Sequence, residues 1–213
     1  MRADIGIVIA DDHSIVRKGL REVIASDSRL TILAEAEDGE SACRLYDEVH
    51  PDVLVMDISM PGMGGVEAVR RIIAHDRRAR ILALSAHEDT SHPKRVLKAG
   101  ALGYLCKRGA PEALIDAIRA TAKGQRYLDA QIAQRMAMQD LSGNHGPLEV
   151  LSEREFEVFL QLARGQTVAQ IADKLNLSSS TVGTHLYNIK QKLNVVNQAE
   201  LTLLAVRHKL IET

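Results

Sequence analysis

The sequence predicts a doubly wound, five-stranded parallel α/β unit followed by a small all-helical unit. Two observations carry the first part. Short apolar, β-branched runs alternate with amphipathic helical patterns over roughly the first 120 residues, which is the signature of strands joined by crossover helices. Several of those runs end abruptly in a charged or hydroxyl residue, at the carboxyl ends where open α/β sheets keep their chemistry. A third observation separates the units: after a polar stretch containing Gly and Pro, the apolar period is helical to the end.

The elements follow in order. Ile5 to Ala10 reads as a buried strand ending in Asp11-Asp12, and Ser14 to Ala25 as the first helix. A strand near 30–36 and a helix from Gly39 to Val49 come next. Val53-Leu54-Val55-Met56 is a buried run that ends in Asp57 and is followed at once by the turn Ile58-Ser59-Met60-Pro61-Gly62. Gly65 to His75 is helical. Ile81 to Leu84 is a strand with Ser85 at its end. The helix Asp89 to Ala99 starts irregularly around Ser91-His92-Pro93. The run Gly103 to Cys106 is the last strand, with Lys107 at its end, and Ala110 to Ala122 is a helix closed by Lys123-Gly124. Residues 1–123 therefore form the first unit. Residues 124–147 form a linker with one short helix, Asp129 to Met138, and a flexible stretch from Gln139 to Pro147. Residues 148–213 form the second unit.

In that second unit, Ser152 and Glu155 make a capping box that opens a helix from Glu153 to Arg164, with Gly165 as its stop. Val168 to Leu175 is a short helix, Asn176-Leu177-Ser178 a tight turn, and Ser179 to about Leu193 the next helix. This is the pattern of a helix-turn-helix. A fourth helix, Gln198 to His208, packs behind. The hydroxyls of Ser179, Ser180 and Thr181, with the backbone N–H groups of that helix start, suit a DNA phosphate.

Composition excludes some classes and leaves others open. The 213-residue chain carries a formal charge of −1, so bulk attraction to nucleic acid or membrane does not follow. It has no apolar run long enough to span a bilayer, and Met1-Arg2-Ala3-Asp4 leads directly into a strand, so a cytoplasmic protein with no membrane partner is expected. Cys43 and Cys106 have no metal-ligand spacing and read as reduced core residues. Between residues 148 and 213 there are seven basic and seven acidic residues, so the helical unit is net neutral and one copy should bind DNA weakly.

If the strands ending at Asp11-Asp12 and at Asp57 are neighbours, three carboxylates converge at one edge. They would repel one another unless a hard cation sits among them, and Mg²⁺ takes a few carboxylates together with waters and phosphate oxygens. Ser85 and Lys107, at matching edges, could then bind the oxygens of a phosphoryl group carried on an aspartate. Each residue alone is unspecific, since an Asp at a strand end is usually a turn-maker and a lone Lys is usually solvated. The ordered set is specific.

The set Asp11, Asp12, Asp57, Ser85 and Lys107 resembles the CheY-like receiver domain of two-component response regulators. Leu151-Ser152-Glu153-Arg154-Glu155, Ile171-Ala172, Thr181-Val182, Asn188-Ile189 and Lys192-Leu193 resemble the LuxR-type DNA-binding domain. Together they resemble the NarL/FixJ family, and Ser59 to Gly65, Gly124 to Tyr127 and Glu200-Leu201-Thr202 are similar to its GacA/UvrY branch. The resemblance implies that Asp57 takes the phosphoryl group. It also implies that Asp12, Asp57 and the Ser59 carbonyl ligate Mg²⁺, with Asp11 acting through water. Lys107 and Ser85 would hold the phosphoryl oxygens, and Tyr104 would move into the space behind Ser85 as a switch, or else remain a core aromatic. The implied partners are a sensor histidine kinase, a hybrid of BarA/GacS-like type, and double-stranded promoter DNA, including promoters of small regulatory RNAs that it would activate. A homodimer forming on phosphorylation would supply the affinity one unit lacks.

The family pattern is broken at one place. Where lysine commonly follows Thr181-Val182 this chain has Gly183, and a nearby position that is often basic is Tyr187. Thr184, Tyr187 and Asn188 are then expected to face the major groove, with Ser179, Ser180, Thr181, Lys190 and Lys192 around them. Tyr187 is alternatively a bundle-packing ring. The expected function is a phosphorylation-controlled transcription factor and not an enzyme. The rivals are a Mg²⁺-dependent aspartyl phosphotransferase or phosphatase, and a phosphate sink without specific DNA binding.

Overall fold

The computed structural model describes residues 4–86, 91–141, 150–208 and 210–211. The chain divides into two compact units, with the break between Ala133 and Gln134.

The first unit alternates strand and helix: β1 Ile5–Ala10, α1 Ser14–Ala25, β2 Leu30–Ala36, α2 Gly39–Val49, β3 Val53–Asp57, α3 Gly65–His75, β4 Ile81–Ser85, α4 Ser91–Ala99, β5 Gly103–Cys106, α5 Pro111–Ala122 and β6 Tyr127–Leu128. All strand pairs are parallel, in the order β2-β1-β3-β4-β5-β6. β1 and β3 are therefore neighbours, as the carboxylate argument required. β3, β4 and β5 are buried at every residue, because parallel strands are covered on both faces. On one face Ile7, Ile9, Val55, Leu84 and Leu105 form a core with Ile24 of α1 and Leu114, Ala117 and Ile118 of α5. The alternate residues Val8, Leu54, Met56, Ala83 and Tyr104 are buried as well.

The sheet has six strands, one more than the sequence predicts. Tyr127 and Leu128, expected in the linker, pair with Gly103 and Tyr104 of β5. Two residues show no period, so no hydrophobic pattern announces them. The linker helix, α6 Ala130–Leu141, also runs further than expected, taking in three residues read as flexible. Gln139-Asp140-Leu141 contains no helix breaker, and Gly143 and Pro147 come only later. Residues 142–147, the rest of the predicted linker, and Asp89 and Thr90, predicted to open α4, lie outside the described residues.

The second unit contains α7 Glu153–Ala163, α8 Val168–Leu175, α9 Ser179–Leu193 and α10 Gln198–Arg207. All four starts are capped by a side chain, α10 by Asn197, which accepts from the Glu200 N–H. Ser152 with Glu155 forms the expected capping box, Thr167 with Gln170 forms another, and Ser178 caps α9 by accepting from the Thr181 N–H. The α8–α9 turn closes on Asn176, whose φ of 51° is the left-handed conformation that Asn tolerates. Phe156, Phe159, Ile171, Leu175, Val182, Ile189, Leu193 and Leu201 build its core.

Candidate functional site

The register of the sheet builds the site. Ala10 pairs with Met56, so the next residues, Asp11 and Asp57, emerge side by side. Asp57 pairs with Leu84, which puts Ser85 one step beyond, and Ser85 pairs with Cys106, which puts Lys107 one step beyond that. The backbone continues the ladder there, since the Lys107 N–H donates to the Ser85 carbonyl at 2.8 Å. The loop after β3 is held close by Gly65, where an added Cβ would lie 2.1 Å from the Asp57 carbonyl oxygen. Only glycine lets α3 begin against the end of β3.

Lys107 bridges the two strand-end carboxylates. Its Nζ lies 2.6 Å from Asp11 Oδ2 and 2.7 Å from Asp57 Oδ2. Asp11 is fully buried and Asp57 nearly so. Burial pushes the Asp57 carboxyl above the ordinary carboxylate range, with Lys107 and the Ser59 N–H, which donates to Asp57 Oδ1 at 3.0 Å, pulling the other way. Burial acts against the Lys107 ammonium, yet Asp57 and Asp11 outweigh it and hold its pKa above the usual lysine value. Asp12 completes the edge. Its Oδ1 is buried and accepts no hydrogen bond, an arrangement that costs about 1–3 kcal/mol unless a cation satisfies it. Three carboxylates against one ammonium leave an excess of two negative charges. Hard oxygen donors with that excess fit Mg²⁺.

Two residues that the sequence reading passed over belong to this edge. His13 Nδ1 lies 2.9 Å from Asp12 Oδ1, and Asp11, Asp12, His13 and Asp57 can each offer a donor atom within 4.8 Å of the others. Arg17, on the first turns of α1, is buried; it donates to the Asp11 carbonyl at 2.7 Å and pairs with Glu37, pinning the β1–α1 loop. Their adjacency to Asp11-Asp12, with His13 and Arg17 four residues apart on a helix start, was the available signal. Ser85 and Tyr104 are both fully buried. A separate cavity of about 260 Å³, lined by Asp27, Arg29, Asp52 and Arg119 among others, lies at the amino ends of β1 to β3 and is not part of this edge.

Residues 7–119 match the family "Response regulator receiver domain", and residues 149–205 match "Bacterial regulatory proteins, luxR family". The chain belongs to the response regulators with a LuxR-type DNA-binding domain. It is 39% identical to the response regulator UvrY of Escherichia coli K12 over 97% of this chain and 95% of that one. It is 38% identical to the response regulator GacA of Pseudomonas viridiflava over 98% of each. Among solved structures, RcsB of Salmonella enterica serovar Typhimurium bound to promoter rprA with phosphomimetic BeF₃⁻ superposes with a TM-score of 0.69. That pair shares 28% identity over 94% of this chain and 98% of RcsB.

In the LuxR-type unit the exposed stripe of α9 is Ser180, Gly183, Thr184, Tyr187 and Gln191, spaced as one helix face and without a charged residue. The Tyr187 ring is 65% exposed, so it does not pack on the bundle. The Thr184 hydroxyl donates to the Ser180 carbonyl, and the Ser178 hydroxyl is shared with Ser180 and Thr181. The Thr181 N–H is consumed by the cap, leaving the N–H groups of Ser179 and Ser180 at the helix start. Asn188 and Lys190 are half-buried. Lys192 is exposed, and its Nζ is tied to the buried Glu155, 2.6 Å from Oε2. That contact spans 37 residues, beyond the reach of any local pattern.

Proposed function

We propose that this response regulator is a transcription factor switched by phosphorylation of Asp57, with a sensor histidine kinase as donor. The observation that carries the reading is the Lys107 bridge between the buried Asp11 and Asp57, beside Asp12 Oδ1, which accepts no hydrogen bond. Asp12, Asp57 and the Ser59 carbonyl would hold Mg²⁺, with Asp11 acting through water. Mg²⁺ bound there neutralises charge on the transferring phosphoryl oxygens. Asp57 contributes the nucleophilic oxygen, and the buried edge limits competing water. Lys107 moves its ammonium from the carboxylates to the new phosphoryl oxygens, and Ser85 donates a hydrogen bond to one of them. That draws Ser85 toward Asp57, and Tyr104 follows behind it.

In the DNA-binding unit, the N–H groups at the start of α9 with Ser179, Ser180 and Thr181 take a phosphate. Thr184, Tyr187 and Asn188 meet base edges, with Gly183 between them, and Lys190 is the cation of this helix that remains for DNA. Because Lys192 is held by Glu155, its share in DNA binding is small. A net-neutral unit needs a second copy for affinity, so phosphorylation acts by promoting a homodimer on paired half-sites. The functional boundaries are residues 1–123, 124–147 and 148–213. The proposal extends, by resemblance to the GacA/UvrY branch, to activation, a hybrid kinase of BarA/GacS type as donor, and small regulatory RNA promoters as targets. The reading is of a cytoplasmic regulator and not an enzyme; among the described residues no helix is long and apolar enough to cross a membrane.

The test is genome-wide DNA capture by the purified chain with Mg²⁺, with and without acetyl phosphate, alongside Asp57→Asn. Enrichment of a few palindromic sites that rises with acetyl phosphate only for the unmutated chain is expected. Absence of site-specific capture in every condition would replace the proposal with the phosphate-sink reading.

A further inference from the structure

We propose that His13 supplies this pocket with a nitrogen donor, so that the site prefers a first-row transition ion such as Mn²⁺ to Mg²⁺. The inference rests on the reading of the pocket as a metal site and adds a ligand to it.

Three observations converge on His13. It is the N-cap residue of α1, a position where Ser, Thr, Asp or Asn normally bonds the helix's free N–H groups, yet its side chain makes no capping hydrogen bond. The local needs of the helix therefore do not explain where the imidazole goes. It goes to the carboxylates: Nδ1 lies 2.9 Å from Asp12 Oδ1 and 3.5 Å from Asp11 Oδ1. Third, Asp12 Oδ1 is buried and accepts no hydrogen bond despite that 2.9 Å approach, so the ring N–H is not aimed at it. Donor atoms of Asp11, Asp12, His13 and Asp57 lie within 4.8 Å of one another, close enough for a shared ion to span.

The spacing agrees. Two ligands about 2.1 Å from a cation and at right angles to one another stand about 3.0 Å apart, and at a tetrahedral angle about 3.4 Å. The 2.9 Å from Nδ1 to Asp12 Oδ1 matches the right-angle separation, the one that a six-coordinate ion imposes on adjacent ligands. The His13 backbone N–H also donates to Asp11 Oδ1 at 2.9 Å, so the residue is tethered to the cluster by its main chain whatever its side chain does. The imidazole is 67% exposed, so it can turn onto an ion without disturbing the core.

The donor set decides which ion. Oxygen-only sites suit Mg²⁺ and Ca²⁺, whereas imidazole nitrogen favours first-row transition ions. Asp12, Asp57, the Ser59 carbonyl and one imidazole, with Asp11 acting through water, make a mixed set that Mn²⁺ accepts in the six-coordinate geometry Mg²⁺ also uses, with a position left for a phosphoryl oxygen.

The experiment compares the full chain with His13→Phe, which keeps a ring and removes the donor at an exposed position. Mn²⁺ affinity is measured from the electron paramagnetic resonance signal of the free ion, Mg²⁺ affinity by competition, and ligation by pulsed resonance on the Mn²⁺ form. The expected result is a loss of about ten-fold or more in Mn²⁺ affinity for His13→Phe, with Mg²⁺ affinity changed by about two-fold or less. Nitrogen coupling to Mn²⁺ should be present in the unmutated chain and absent in the variant. Equal Mn²⁺ affinities without nitrogen coupling, while both ions still bind, would overturn the role of His13 and leave the pocket reading standing. Failure of both ions to bind the unmutated chain would overturn the pocket reading and this inference with it.

Discussion

Replacing Gly183 should stabilise the DNA-binding unit, and replacing it with lysine should also change how DNA binding responds to salt. Gly183 lies in the N-terminal half of α9, is exposed, and is not among the glycines with positive φ. A Cβ built there meets no atom within 4 Å. An alanine methyl would therefore neither clash nor pack, and the whole effect comes from backbone freedom removed from the unfolded chain and from helix propensity. Those favour alanine by about 0.8–1 kcal/mol. For a unit of this size that raises the melting temperature by about 3–8 °C. The assay is calorimetry of the full chain, following the transition of the second unit. Gly183→Lys keeps most of the propensity gain and places a cation on a stripe that has none. The slope of log affinity against log salt on a captured site should then steepen by about one. A destabilising Gly183→Ala would refute the claim of open, unstrained helix. A Gly183→Lys variant with an unchanged salt slope would refute the claim that this stripe faces DNA.

Other expectations follow from the same geometry. Gly65→Ala should weaken divalent-ion binding and cost about 1–3 kcal/mol in the receiver, because the new Cβ would fall 2.1 Å from the Asp57 carbonyl oxygen and the loop must move; ion titration and thermal melting read both effects. Burial opposes charge on Glu155, but Lys192 and the Ser152 N–H outweigh it and hold its carboxyl below the ordinary glutamate range. The stability it contributes is therefore complete above that range and is lost as pH falls through the lowered value. Lys192→Ala should cost about 1 kcal/mol at neutral pH, discounted because the lysine is partly exposed, and the difference should shrink as pH falls through the lowered Glu155 value, as measured by urea unfolding.

What the sequence made legible and what it hid follow from range and period. The strand ends at Asp11, Asp57, Ser85 and Lys107 could be read because each closes a buried run of four or more residues, and the α/β alternation implies that such ends share an edge. The caps at Ser152 and Ser178 were visible because their partners lie three residues away. The Lys107 to Asp11 contact joins residues 96 apart, and only the expectation of a common edge brought them together. No such expectation exists for Lys192 and Glu155, 37 residues apart, so their ion pair is not legible in the sequence. Tyr187 stood between two readings until the burial of Val182, Ile189 and Leu193 fixed which face of α9 is inside. β6 escaped because two residues carry no period. His13 escaped because a histidine beside two aspartates is ordinary until its ring is seen against them.

The most direct test of the account is the fate of a phosphodonor at Asp57. The purified chain is incubated with acetyl phosphate and Mg²⁺ beside Asp57→Asn, and each is followed by intact mass and on a phosphate-affinity gel. One acid-labile phosphoryl group per unmutated chain, absent from the variant and lost only slowly, is the predicted result. Labelling that persists in Asp57→Asn would contradict the account, as would steady turnover of acetyl phosphate without accumulation of the labelled chain.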